Sequence, residues 1–435
     1  MKMKCYTSYS QLIIITTSLY NHIYLYYLYI LSQINFFYIY IYKQNFLTRT
    51  PDYFSPSMKF NNFMKLLPLL CAARTSTITL LYYFSVYYVS IFFCSHTEAA
   101  MTTTQNNLPF PAIFSFGDSI VDTGNNNNLR MTIARCNFPP YGKDFMGGKP
   151  TGRFSNGKTP ADLIVELLGI KEILPAYLDP NLQIKDLYTG VNFASGGCGF
   201  DPLSSKIALT YSLSDQLDFF KDYIEKLRDN AGEERANSIL NNSAYLVSAS
   251  ANDIGTAYFN SRIRQLQYDF PSYVSVLVSL ASDFFKELYG LGARNFFVVG
   301  APPLGCLPST ITVAGRGSRK ECVEKYNQAA QFFNSKLSAE IDSLNNNLPQ
   351  SRLVYVDIYY SLLDLIQNPN KYGFEIVDRG CCGTGTIEVA LACNTFSLLC
   401  ADVSKYIFWD SYHPTEKAYK IIVPALMKKI LNISI

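Results

Sequence analysis

From Ala112 onward, short apolar runs alternate with longer segments whose apolar residues recur at helical spacing. The short runs predict strands over Ala112–Phe116, Thr189–Phe193, Tyr245–Ser248, Asn295–Val299 and Arg352–Val356. The longer segments predict helices over Pro160–Leu168, Ser214–Leu227, Tyr273–Leu291, Glu321–Leu344 and Thr415–Leu431. Pro160 suits a first helical turn, where its missing N–H is not needed. Alternation of this kind implies an α/β fold: a central parallel sheet with helices on both faces. No internal repeat and no long linker interrupts it, which favours one domain. Sites in such folds gather at the carboxyl ends of the strands. Ser119 follows the first predicted strand, Gly197 the second and Asn252 the third.

The first hundred residues depart from this pattern. Tyr20 to Tyr42 is a nearly uncharged run of Tyr, Ile, Leu, Phe and Asn, long enough to span a bilayer. A second leader-like segment follows it. Lys59 and Lys65 supply a basic start, Leu80–Phe93 an apolar core, and Glu98-Ala99-Ala100 small residues at a cleavage position. Residues 1–57 therefore read as a translated upstream extension, with the natural start at Met58 or Met64. Residues 58–100 read as a signal-peptide-like leader, or alternatively a retained signal anchor, and residues 101–435 as the mature domain. A secreted, extracellular protein is expected, with no stable membrane insertion after cleavage.

Composition narrows the function. Net charge is only +3 and charged residues are 16% of the chain, so no basic surface for nucleic acid is indicated. Eight of the eleven cysteines lie beyond residue 101, an even number that fits an oxidising compartment but leaves their pairing open. Asn241-Asn242-Ser243 and Asn432-Ile433-Ser434 are glycosylation sequons. Only one histidine, His413, lies outside the leader, so a metal site built on several imidazoles is impossible. No metal or organic cofactor is expected.

The residue types that carry chemistry are few. Asp410 and His413 are three apart, close enough for the carboxylate to orient the imidazole. Gly117-Asp118-Ser119 ends an apolar strand, where a serine can expose its hydroxyl beside its own N–H. Ser195-Gly196-Gly197 can present backbone N–H groups to a ligand, and either glycine could be the donor. Asn252 can add a side-chain N–H, while Asp253 could instead cap a helix. Gly-x-Ser-x-Gly is absent, which removes the anchor of an α/β-hydrolase reading. Gly152 to Thr159 fits the phosphate-loop pattern, but no strand can precede it. Asn125–Asn128 reads as a polar loop that could order Asp122 or Ser119. The aromatic stripe Tyr258–Tyr273 reads as core, and Trp409 as packing beneath the Asp410–His413 turn.

Together these stretches resemble the plant GDSL esterases/lipases of the SGNH hydrolase superfamily, in particular the extracellular lipase subgroup. The resemblance rests on Phe116-Gly117-Asp118-Ser119-Ile120-Val121-Asp122-Thr123-Gly124-Asn125-Asn126, Gly152–Gly157, Val191–Gly197, Gly300–Pro308 and Trp409–Pro414, in family order. It implies a three-layer, flavodoxin-like α/β/α fold and an esterase or lipase acting on small-molecule or lipid acyl esters. It assigns Ser119 as nucleophile, His413 as base, Asp410 as its orienting carboxylate, and Ser119, Gly197 and Asn252 as the oxyanion hole. One departure stands out: Ser250 occupies the position where the family pattern Gly-x-Asn-Asp has glycine. Two other functions remain open, an acyltransferase with an alcohol or sugar acceptor and a catalytically silent binding protein of the same fold.

Overall fold

The computed structural model describes residues 110–315 and 321–431. The chain divides between Thr104 and Gln105, and all described residues belong to the second unit. The expectations for residues 1–100, and for the sequon at Asn432, lie outside the described residues.

Four strands, β1 (Ile113–Gly117), β2 (Ala244–Ser248), β3 (Asn295–Val299) and β4 (Arg352–Val356), form a parallel sheet in the order β1-β2-β3-β4. Their first residues pair across the sheet, Ile113 with Ala244, Ala244 with Asn295 and Asn295 with Arg352. The predicted strand at Thr189–Phe193 is only partly formed. It runs along the free edge of β1, with Ser115 donating to Val191 O at 3.3 Å and Phe193 donating to Ser115 O at 2.7 Å. Regular pairing is confined to Asn192, because Gly190 adopts φ 93° and the chain beyond offers only Ala176 as an outer partner. With this segment as the second strand, the order is that of the flavodoxin-like folds. A short pair, β5 (Ile376–Gly380) and β6 (Tyr406–Phe408), was not anticipated; β6 is only three residues long.

The α-helices of seven or more residues are α1 (Pro160–Leu167), α2 (Pro202–Ala208), α3 (Leu213–Ala231), α4 (Glu233–Asn242), α5 (Phe270–Gly290), α6 (Pro308–Ala314), α7 (Glu324–Asn347), α8 (Ile358–Gln367) and α9 (Glu416–Leu431). Starts and stops follow local chemistry. Thr159 and Asp162 form a capping box before Pro160, Ser212 and Asp215 another at α3, and the Asp269 side chain accepts from Ser272 N–H at α5. Period-two alternation in the strands separates two cores. Phe114, Phe116, Tyr245, Val247, Phe296 and Val298 face α3, α4, α5 and α7, while Ile113, Leu246 and Phe297 face α1 and α9. The result is the three-layer α/β/α arrangement, and it delivers the loops after β1, β2 and β3 to one end of the sheet.

The aromatic stripe is core at its two ends: Tyr258 and Phe259 are buried and Tyr273 fully so. No helix among the described residues is long and apolar enough to cross a membrane.

Candidate active site

β1 ends in a turn that only glycine permits. Gly117 has φ 121°, and a Cβ there would stand 1.8 Å from Ser248 O. Gln216 of α3 clamps the turn, accepting Gly117 N–H at 2.8 Å and donating to Gly117 O at 3.0 Å. Asp118 N–H then donates to Ser248 O at 2.8 Å, which directs the next residue, Ser119, out of the sheet. The Asp118 side chain turns inward to a cavity walled by Val299, Leu307, Ile358 and Ile422. Burial there pushes its carboxyl up to about 7, against the opposing pull of the Ile120 N–H and a charged His413.

The second half of the site is a turn after β6. Asp410 Oδ1 accepts the N–H groups of Tyr412 and His413, at 2.8 and 2.7 Å, so the carboxylate folds back over its own turn. His413 Nδ1 lies 2.8 Å from Asp410 Oδ2, and Nε2 lies 2.8 Å from Ser119 Oγ. With Nδ1–H donating to the carboxylate, Nε2 is the acceptor for the serine proton. Asp410 is fully buried and Ser119 is 6% exposed. The Phe154 ring packs 5.1 Å from the imidazole. Trp409 is fully buried beside the turn, its backbone N–H donating to His413 O at 2.8 Å.

The candidate donors lie on loops bonded to the turn that carries Ser119. Among the described residues, neither Ser119 N–H nor Gly197 N–H has an acceptor. Gly196 N–H is already taken by Asp122 Oδ2 at 2.8 Å, so Gly197 rather than Gly196 is the free donor of the glycine pair. Gly197 has φ 88°, and a Cβ would meet that of Ala208 at 2.5 Å. Asn252 uses one Nδ2 hydrogen on Cys198 O at 2.8 Å, which ties it to the glycine loop and leaves its second hydrogen available. Ser250, where glycine was expected, causes no strain: it is buried, and it is not among the residues of positive φ. Asp253 caps nothing of its own. Its carboxylate accepts from Phe200 N–H, Asp201 N–H and Ser204 Oγ, and burial pushes it up to about 8.

A supporting network was only faintly visible in the sequence. Asp122 accepts Gly124, Asn125 and Gly196 N–H groups. Asn125 Nδ2 donates to Ala194 O at 2.8 Å, and Asn126 Nδ2 to Gly196 O at 2.9 Å. The polar loop thus orders Asp122, as expected, but chiefly it grips the glycine loop. Tyr141 was missed altogether. Its hydroxyl donates to Asp410 Oδ2 at 2.6 Å and accepts Ala390 N–H at 2.8 Å. Ala390 belongs to a loop pinned by the Cys381–Cys400 and Cys382–Cys393 disulfides; a third joins Cys306 to Cys322, and Cys136 and Cys198 are free and buried.

Tyr141 yields a prediction. Phenylalanine there removes a charge-assisted donor from Asp410, an interaction of about 1.5–3 kcal/mol, so kcat/KM should fall by roughly 10- to 100-fold. The check is kcat/KM on a soluble ester beside the thermal midpoint: a loss of turnover with the midpoint held is expected, and a kcat/KM within twofold of the parent would contradict a role for Tyr141.

The phosphate-loop pattern has no phosphate-loop structure. A turn at Met146–Gly148 precedes it in place of a strand, and Lys158 pairs with Glu166 at 2.8 Å. Among the described residues, no group of three or more His, Cys, Asp or Glu side chains could hold a metal ion.

A serine, a histidine and a buried carboxylate in line can activate a hydroxyl, and N–H groups left free on Ser119 and Gly197 are of the kind that stabilises an oxyanion. The comparisons with known proteins agree in kind. Residues 113–426 match the family described as GDSL-like Lipase/Acylhydrolase. The chain is 50% identical over 345 residues to the GDSL esterase/lipase EXL3 of Arabidopsis thaliana, covering 79% of this chain and 94% of that protein. It is 52% identical over 322 residues to the GDSL esterase/lipase At5g42170 of Arabidopsis thaliana, covering 74% of this chain and 86% of that protein. With EXL2 of the same plant the identity is 46% over 347 residues, covering 76% of this chain and 91% of that protein. The chain belongs to the GDSL esterase/lipase family and is a carboxylic ester hydrolase.

Proposed function

We propose that this protein hydrolyses acyl esters through an acyl-enzyme on Ser119. The observation that carries the reading is the unbroken line from Ser119 Oγ to His413 to Asp410, each step 2.8 Å. As Ser119 Oγ attacks the ester carbonyl, its proton passes to His413 Nε2. Asp410 fixes the tautomer that can take it and stabilises the imidazolium that forms. The carbonyl electron pair moves onto oxygen, which rests on the N–H groups of Ser119 and Gly197 and on Asn252 Nδ2. Collapse expels the alcohol, which leaves with the proton from His413. Water then enters, gives its proton to His413 and attacks the acyl-enzyme; the acid departs and the serine regains its proton.

Secretion is part of the proposal. Its support is the leader-like segment at residues 58–100 and the three disulfides; Asn241 of the sequon is exposed at the end of α4, although its Ser243 is buried. Sequencing the mature N-terminus tests it; a start upstream of Met58 would contradict it.

The mechanism is tested with p-nitrophenyl esters of increasing acyl length, comparing the protein with a Ser119→Ala twin. Hydrolysis confined to the parent supports the reading, and the length profile ranks short-chain esterase against lipase. Equal background rates overturn hydrolysis. Ester product appearing only with an added alcohol or sugar would then identify a transferase, and its absence a silent binding fold.

A further inference from the structure

We propose that the end of the molecule carrying Ser119 docks on an aggregated lipid surface, through apolar side chains held exposed on rigid loops. The inference deepens the proposed function and rests on Ser119 being where the ester reacts. A soluble protein normally scatters its exposed apolar side chains. Here, among the described residues, one set of them is concentrated in the loops bonded to the glycine loop and in the disulfide loop, while Ile184, Leu266, Val313 and Tyr360 lie in other segments. Met131 is 78% exposed, Phe396 95% and Leu398 83%. Ile133 and Leu209 are exposed as well.

The loops that carry these residues are tied to the site, while the side chains themselves point to solvent. Asn126, which grips Gly196, also donates to Ala134 O at 2.7 Å and so anchors the loop of Met131 and Ile133. Thr132 Oγ1, between them, donates to Ala208 O at 2.9 Å. Leu209 comes next and is the left-handed end of α2 at φ 55°, a position that ordinarily falls to glycine or asparagine. Ala208 is the residue against which Gly197 packs. Phe396 and Leu398 lie between Cys393 and Cys400, both disulfide-bonded, and this loop packs in one buried cluster with Ala134 and Cys136, next along the chain from Ile133. Their loop accepts Ser411 N–H on Glu388 O at 2.8 Å and meets Asp410 through Tyr141. Two disulfides keep these tips from collapsing inward, so their exposure is a fixed feature of the fold.

The occupant follows from the loops these tips occupy, which are bonded to the site. A protein seated across them would cover the approach to Ser119, whereas a lipid surface brings the ester to it. Charge fits as well: Arg130 and Lys206 are exposed beside Met131 and near Leu209, suited to the phosphate layer of a lipid surface. Apolar tips with flanking cations form the usual interfacial pairing.

The test is flotation with phosphatidylcholine-coated trioleoylglycerol droplets, using Ser119→Ala protein so that no substrate turns over. The parent should float. The combined variant Met131→Ser, Ile133→Ser, Phe396→Ser, Leu398→Ser should float at least tenfold less, and Ile184→Ser as well as the parent. With Ser119 restored, the fourfold variant should keep kcat/KM on a soluble acetate ester within twofold and lose activity on the droplets. A parent that does not float, a fourfold variant that floats equally, or an equal loss in Ile184→Ser would overturn the proposal. So would a parent that dimerises through these residues, seen as a monomeric fourfold variant in sedimentation. Because flotation is read without catalysis, a failure of the Ser119 chemistry would show separately, as loss of ester hydrolysis with binding intact.

Discussion

His413→Ala is expected to lower kcat on a soluble ester by roughly a millionfold while leaving the thermal midpoint almost unchanged. The size follows from the geometry. Nε2 is the only base within reach of Ser119 Oγ among the described residues, at 2.8 Å. Without it the hydroxyl must lose its proton to water, at a pH where almost none is ionised. The fold should tolerate the loss, because the Asp410 carboxylate keeps the Tyr141 hydroxyl and the N–H groups of Tyr412 and residue 413 as donors. Residual turnover would come from the free N–H groups of Ser119 and Gly197. A variant with turnover within tenfold of the parent would place the base elsewhere.

The second large effect concerns stability. Arg153→Ala should cost about 3–5 kcal/mol, measured by urea unfolding. Arg153 and Asp162 form a two-bond pair, each contact 2.7 Å, with both side chains nearly sealed from water. The remaining donors and acceptors are spent on holding the chain: Arg153 donates to Thr123 O and Leu174 O, and Asp162 accepts Thr159 and Leu174 N–H groups. Burial opposes the charge on Asp162, but Arg153 and these hydrogen bonds outweigh it and hold the carboxyl below its ordinary value of 3.8. Its folded value being depressed, the contribution is present at neutral pH and is lost as pH falls below 3.8. Alanine leaves an unpaired charge in the interior, which is what makes the loss large. Lysine should rescue only part of it, since it cannot reproduce the two-pronged contact. A midpoint unchanged within error would contradict this account.

The sequence carried the frame of the fold for a physical reason. Phe114 and Phe116, Tyr245 and Val247, Phe296 and Val298 alternate with residues of the opposite face, so the buried strands announced themselves. Thr189–Phe193 had the composition of a strand but sits at an edge, where Gly190 and the inward-bonded Asn192 break its regularity. The three-residue β6 and the short helices α2 and α6 bury too little surface to leave a periodic trace. Ser119, Asp410 and His413 were legible because few residue types can do their chemistry and because their surrounding stretches match a family. Tyr141 was not, since its bond to Asp410 spans 269 positions and an isolated tyrosine carries no signal. The resemblance named Gly197, but a physical reason to prefer it to Gly196 needed coordinates, because it depends on which N–H Asp122 takes.

Whether Ser119 is an activated nucleophile is decided by mass spectrometry after reaction with a fluorophosphonate. One adduct per chain is expected, located on Ser119, and none in His413→Ala over the same time. Labelling of a different serine, or no labelling of the folded parent, would contradict it.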